Sequence, residues 1–421
     1  MTKQSLWGIL IDKEQIMKLI ERKEYTEWLK RYRDKKIIKV ITGLRRVGKS
    51  TIFDLYITEL LKEGISRDQI LKINFEELEN EAISEKNTLY RYITEKIRPD
   101  KKLYIFLDEI QRVPEFEKVV DSLFVKDNVD IYITGSNAKF LSSEIATLLT
   151  GRYVEINVLP LSFREYSEYF AASGKDRRTL FMEYITYGAL PGIFMFDMGS
   201  AEQREYVESV YKTILEKDVL KRNAAAGRQL VESLLNYLVY NIGCLTSVKR
   251  ITDTLNSGGT KVSYNTVSSY FETLQDCFFI YKADRYDIVG KEYLKLINKY
   301  YVTDFGFKYY ILNNKTIELS QILENLIFLE LKRRRFKVAT GKVAEKEVDF
   351  IAKDTNNDLL YIQVAVTVMD EAKLQQELRP FYEIDDNYPK YIITLDDVFV
   401  KDHDGIKTIN ALDFLLGRSL E

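Results

Sequence analysis

Histidine and cysteine are almost missing from the 421-residue sequence, which has only His403, Cys244 and Cys277. A zinc framework of His and Cys ligands is therefore excluded, and so few cysteines suit a reducing cytoplasm. Neither sign of charge is in excess: 62 Lys and Arg stand against 64 Asp and Glu, a formal net charge of −2. Overall attraction to nucleic acid or an anionic membrane is thus lacking, and any such binding needs a local patch. Long apolar runs are also missing. No stretch approaches the roughly 18 residues of a membrane span, and Met1 to Trp7 lacks the apolar core of a signal peptide. Glycine (19) and proline (6) are sparse, whereas 46% of residues are hydrophobic and 30% charged, so the chain reads as folded, soluble and cytoplasmic, with about two to four domains.

What is present begins with Gly43-Leu44-Arg45-Arg46-Val47-Gly48-Lys49-Ser50, which fits G-x-x-x-x-G-K-[ST]. A β-type run, Ile37 to Thr42, precedes it, and an amphipathic run from Thr51 through Leu60 and Leu61 follows, the strand–loop–helix context of a phosphate-binding loop. Gly43 and Gly48 permit the tight turn that aims backbone N–H groups and a helix N-terminus at phosphate oxygens. Lys49 would reach the β- and γ-phosphates and Ser50 would hold Mg2+, with Arg46 and Thr51 beside them.

Leu103 to Leu107 is an apolar strand ending in Asp108 and Glu109. A buried parallel strand delivering acids at its C-terminal end suits a Walker B element, with Asp108 in the magnesium shell and Glu109 polarising the attacking water. A further strand, Val129 to Thr134, leads into Gly135-Ser136-Asn137. Asn137, or Ser136 as second choice, can sense the γ-phosphate; the competing reading is a turn with an Asn cap. Arg152, before the β-type run Tyr153 to Val158, can stabilise phosphate charge in its own or a neighbouring subunit, or form an ordinary ion pair. Glu76 and Glu77, after the strand Gln69 to Phe75, read as a solvated acidic turn or as a nucleotide sensor. Residues 12–36, with Ile16, Leu19, Ile20, Trp28 and Leu29 at helical spacing, read as helices packed on the core.

The Arg-Arg of the loop, Leu107 to Gln111, Thr134 to Asn137 and Leu159 to Glu165 together resemble prokaryotic AAA-type ATPases with a C-terminal domain of unknown function 4143. The resemblance implies an α/β multidomain protein: a parallel-sheet P-loop ATPase core, a helical lid, a winged-helix-like module and a terminal PD-(D/E)xK nuclease-like α/β domain. The expected bounds are 1–158, 159–228, 229–310 and 311–421. Within the lid, Gly188 to Gly192 marks a break between helices, and Gly188 to Pro191 and Glu216 to Asp218 match segments recurrent in that family.

Residues 229–310 read as three helices and a β-ribbon, the order of a winged helix. From Val262 to Phe278 there is no Lys or Arg, so the third helix is poorly suited to phosphate, and an intramolecular or protein-binding role is favoured over DNA recognition. In the last domain Glu324 and Asp349 fit the first two places of a nuclease metal site. At the third, Gln363-Val364-Ala365 replaces E-x-K, which removes a carboxylate and the lysine, unless Lys353 or Lys373 enters from elsewhere. The sequence thus points to an ATP- and Mg2+-dependent molecular switch acting on a nucleic acid or protein partner, not in a membrane, with homo-oligomers compatible. An ATP-gated nuclease and a non-hydrolysing assembly protein are the alternatives.

Overall fold

The computed structural model describes residues 20–138, 149–194, 200–222, 227–312, 317–397 and 402–420. Residues 12–19, including Ile16 and Leu19 of the expected N-terminal helices, lie outside them. The chain is described from Ile20, and the first helix, α1 (Lys23–Tyr32), buries Tyr25, Trp28 and Leu29 as its spacing predicts.

Five strands build the first sheet: β1 (Ile38–Gly43), β2 (Ile70–Asn74), β3 (Leu103–Asp108), β4 (Val129–Gly135) and β5 (Tyr153–Val158). All are parallel, in the order β2-β3-β4-β1-β5. Parallel strands covered on both faces must be apolar throughout, and β1 and β3 are buried at every position. The one cation inside β1, Lys39, is neutralised by Asp130 on β4. Helices α2 (Lys49–Lys62), α3 (Lys86–Thr94) and α4 (Phe116–Phe124) cover the sheet.

Three helices follow: α5 (Phe163–Tyr169), α6 (Arg177–Tyr187) and α7 (Ser200–Ile214), the last running into a π-helical turn, Leu215–Val219. The start of α5 is fixed by Ser162 and Glu165, each side chain capping the other's backbone N–H. Next come α8 (Arg228–Tyr240), α9 (Val248–Ser257), α10 (Tyr264–Asp276) and the hairpin β6 (Ile280–Asp287) and β7 (Glu292–Val302).

That hairpin enters the second sheet. With α11 (Leu319–Arg333) between them in sequence, β6 pairs in parallel with β8 (Lys337–Val343), in register from Asp284 with Ala339 to Asp287 with Lys342. β9 (Lys346–Lys353), β10 (Leu359–Ala365), β11 (Lys390–Thr394), β12 (Asp402–His403) and β13 (Ile406–Asn410) complete eight strands in the order β12-β13-β11-β10-β9-β8-β6-β7. The sheet therefore crosses the boundary expected at 310/311. Spacing along the chain cannot reveal this, because the pairing joins strands separated by a whole helix. Helix α12 (Glu371–Tyr382) covers one face of this sheet and α11 the other.

Candidate nucleotide site

The loop from Gly43 to Ser50 leaves the C-terminal end of β1 and enters α2. Gly43 has φ +144°, and a Cβ there would stand 2.4 Å from the Val158 carbonyl oxygen, so the approach of the loop to β5 demands glycine. Gly48, at φ +93°, is the left-handed turn into α2. The first turn of α2 brings unpaired N–H groups and the positive end of the helix dipole to a cavity of about 430 Å³. Arg46, Gly48, Lys49, Ser50 and Thr51 line it, and Gly43 lies beneath as an acceptor for Lys49. The opposite wall comes from the helical segment after β5: Pro191 and Gly192 from the break between helices, and Tyr206 and Thr213 from α7.

Lys49 is buried, with Nζ donating to the Gly43 and Leu44 carbonyls (3.1 and 3.2 Å) and standing 3.5 Å from Glu109 Oε1. Burial lowers its pKa, while Glu109 and Asp108 pull it back up. Asp108, at the end of β3, accepts from the Thr134 hydroxyl at 2.5 Å through Oδ1. Its Oδ2 is buried with no hydrogen-bond partner among the described residues, and the Ser50 side chain lies beside the carboxyl. Burial holds this carboxyl above its usual range, with the Ser50 and Thr134 side chains opposing the rise.

Glu109 breaks from the strand direction at φ +52°. Its N–H donates to Thr134 Oγ1 (2.9 Å), and its Oε2 accepts from the Ser136 hydroxyl (3.0 Å) and the Gln111 amide. Burial pushes this carboxyl up, but Lys49, those two hydrogen bonds and Arg45 outweigh it and leave the pKa below normal, so Glu109 is ionised at neutral pH.

The strand order explains these contacts. β4 lies between β1 and β3, so residues at its end fall between the phosphate loop and the acid pair. The expectation of a sensor there meets Ser136, the second choice, in contact with Glu109, while Asn137 is half-buried in the turn just beyond. Thr134, Gln111 and Arg45 stand in the blocks that carry the family resemblance, but the sequence reading gives none of them a role at the site. Glu76 lies exposed in the turn after β2, as its sequence reading has it, and on the cavity wall, paired with Arg45 (3.3 Å) and Arg112 (2.8 Å).

Arg152 is not brought to the site. Its carbonyl accepts from Ile38 N–H at the start of β1, the end of the sheet remote from the loop, and its guanidinium pairs with Asp121 and lies 5.6 Å from the Phe124 ring centre. A role in its own subunit's site is excluded by that position.

Glu324 (α11), Asp349 (β9) and Gln363 (β10), the residues the family resemblance points to, lie in a second cluster. Gln363 Oε1 accepts from Asp349 N–H (2.7 Å), and its amide donates to Glu377 (3.2 Å). A lysine is present after all, but from β7. Lys299 Nζ is 2.8 Å from Glu324, 2.6 Å from Glu347 and 3.6 Å from Asp349, and the Tyr301 hydroxyl donates to Glu324 at 2.7 Å. Burial opposes the ammonium, yet the three carboxylates hold its pKa above the ordinary lysine value. Glu324 is pushed up to about 7 by burial, with Asp349 adding to the shift. Of the lysines weighed from sequence, Lys373 pairs with Glu377 and Lys353 is exposed.

Residues 35–167 match the family described as an AAA domain. Over 401 residues the chain is 37% identical to an uncharacterized protein of Haemophilus influenzae, covering 94% of this chain and 99% of that one. The chain belongs to this relative's family and carries an AAA domain. The uncharacterized protein MJ1544 of Methanocaldococcus jannaschii is 32% identical over 366 residues, 82% of this chain and 78% of that protein. Residues 178–318 match a domain of unknown function, DUF8612, in place of the expected domain 4143. Among solved structures, the Walker-type ATPase PABY2304 of Pyrococcus abyssi shares the fold, with a TM-score of 0.51 at 16% identity over 70% of this chain and 96% of that one. No helix among the described residues is long and apolar enough to cross a membrane.

Proposed function

We propose that this family member is an ATP-hydrolysing switch in which a nucleotide bound between the AAA core and the lid changes their relative arrangement. The observation that carries the reading is the convergence of Lys49, Ser50 and Glu109 on one cavity at the N-terminus of α2, with the Asp108 carboxyl beside Ser50. Backbone N–H groups of the loop and Lys49 would bind the β- and γ-phosphates. Ser50 and the unpaired Asp108 Oδ2 would hold Mg2+, whose chemistry is to draw charge from the phosphate oxygens. Glu109, ionised and oriented by Ser136 and Gln111, would orient and polarise the attacking water.

The helical module and the second sheet are read as a winged-helix-like module and a nuclease-like domain that recognise a partner or support assembly. The Asp276 carbonyl at the end of α10 accepts from Ala138 N–H (2.6 Å), and Tyr281 donates to Asn157 (2.5 Å), so this module is engaged with the AAA core. That contact favours an intramolecular role over DNA recognition. Lys299 supplies a lysine to this cluster, but neutral Gln363 at the third ligand place still lacks the carboxylate a hard cation needs, which speaks against metal-dependent nuclease chemistry. We therefore expect no cleavage of supercoiled or single-stranded DNA by the full chain with Mg2+ or Mn2+.

The test uses two variants of the full chain. Lys49→Ala is expected to lose ATP binding. Glu109→Gln is expected to keep binding while turnover falls by about 100-fold or more, the usual scale for a lost general base. Unchanged Mg2+-dependent hydrolysis in both would remove the assignment.

A further inference from the structure

Arg45, inside the phosphate loop, reaches the lid. Its Nε is 3.0 Å from Asp218 Oδ2 and its Nη2 3.1 Å from Asp218 Oδ1, a two-pronged pair between residues 173 positions apart. A third nitrogen, Nη1, stands 3.3 Å from Glu76. Both members of the main pair are largely buried, with side-chain exposure of 16% and 8%. Arg45 also lines the cavity beside Lys49 and Ser50.

Asp218 owes its position to a distortion. It lies in the π-helical turn Leu215–Val219, which continues α7, and α7 supplies Tyr206 and Thr213 to the far wall of the cavity. Turns of this kind are uncommon and cluster at functional places, since one extra residue per turn redirects side chains. The pair thus links the loop that faces phosphate to the lid segment that faces the same cavity. A guanidinium offers carboxylate and phosphate the same fork of donors, so the two anions compete for it.

We propose that Arg45 and Asp218 form a latch that a nucleoside triphosphate opens: bound phosphate takes the Arg45 guanidinium from Asp218 and frees the lid segment 200–222. No covalent bond changes; one ion pair is exchanged for another. The inference rests on the nucleotide-site reading above and names two positioning residues for it. Its consequence is a pair of opposite effects. The latch opposes phosphate binding, so Asp218→Asn, which removes the competing charge, strengthens triphosphate binding. Arg45→Gln removes a phosphate donor and weakens it. An ion pair with a purely structural role predicts loss of affinity in both.

The experiment measures equilibrium binding of ATP with Mg2+ to the full chain, with amide hydrogen exchange in residues 200–222 as a second readout. We expect ATP affinity to rise about tenfold in Asp218→Asn and to fall about tenfold in Arg45→Gln, within the usual range of coupling between sites. Exchange in 200–222 of nucleotide-free Asp218→Asn should match that of the ATP-bound native chain. Should Arg45→Gln fail to fold, Arg45→Lys, which keeps the charge without the fork, is expected to bind ATP more weakly than the native chain. Affinity falling in both variants, or staying the same in Asp218→Asn, overturns the latch and leaves the nucleotide site intact. Native protein that binds no ATP overturns the site reading and the latch together.

Discussion

At Lys299 a single ammonium faces Glu324, Glu347 and Asp349, and its side chain is only 3% exposed. Replacing it by methionine leaves like charges facing one another in a low-dielectric site, and removing one partner of a buried pair typically costs about 3–5 kcal/mol. Lys299→Met is therefore expected to unfold at clearly lower urea, with Glu324→Gln in the same chain restoring part of the loss. Equal urea midpoints for Lys299→Met and the native chain would show the ammonium to be dispensable. Asp304 gives a pH dependence. Its carboxylate accepts from Ala189 N–H and Gly306 N–H, both at 2.7 Å, yet burial pushes its pKa from 3.8 up to about 6. A folded pKa above the unfolded one means that the linked stability is full below pH about 3.8 and is lost as pH rises through about 6. A shift of this size corresponds to about 3 kcal/mol. Stability of Asp304→Asn relative to the native chain should thus rise by about that amount between pH 4 and pH 7, read from denaturant unfolding at each pH. A difference that stays flat across this range contradicts the shift.

Among the elements, the β6–β7 hairpin has two allegiances. By sequence it follows three helices as a wing, and by pairing it belongs to the second sheet. Asn325 of α11 closes the arrangement, its Oδ1 accepting from Val302 N–H (2.8 Å) and its amide donating to the Val302 carbonyl (3.0 Å). A fragment starting at 311 would bare the edge of β8 and strip Asn325 and Glu324 of their partners. Exposed edges and unsatisfied buried amides favour aggregation and loose packing. We expect fragment 311–421 to lack a cooperative thermal transition. A sharp melt of the shorter fragment would contradict this account of the hairpin.

On the scale of the whole molecule, one apolar core runs from Tyr25 through Phe106, Leu190, Val267 and Phe328 to Phe414, joining the AAA sheet, the helices that follow it and the second sheet. Smaller clusters cover the outer faces of the two sheets. A buried ion chain reinforces the join. Arg22 donates to Glu165 (2.9 Å) and to the Val47 carbonyl of the phosphate loop (3.1 Å), while Arg333, at the end of α11, donates to the Pro160 carbonyl (2.8 Å) and stands 4.0 Å from Glu165. Units that share a core and buried charges unfold together. Calorimetry of the full chain should show one transition, raised as a whole by ATP with Mg2+. Two resolved transitions, with only the first moved by ATP, would show the segments to be independent.

The sequence by itself determined the phosphate loop and the strand ending in Asp108 and Glu109, whereas the grouping of Glu324, Asp349 and Gln363 came from the family resemblance. Each loop residue acts next to its chain neighbours, and alternation along a strand fixes where its last side chains point. The acid motifs also carry their residue types in a recognisable order. Only the tertiary structure decided that Arg152 stands at the far end of the sheet, that Arg45 meets Asp218, that Lys299 fills the acid cluster and that one sheet spans 280–410. Those outcomes depend on strand order and on pairs far apart in the chain. Burial turns each such pair into a strong constraint once formed, but no local pattern of residue types announces it beforehand.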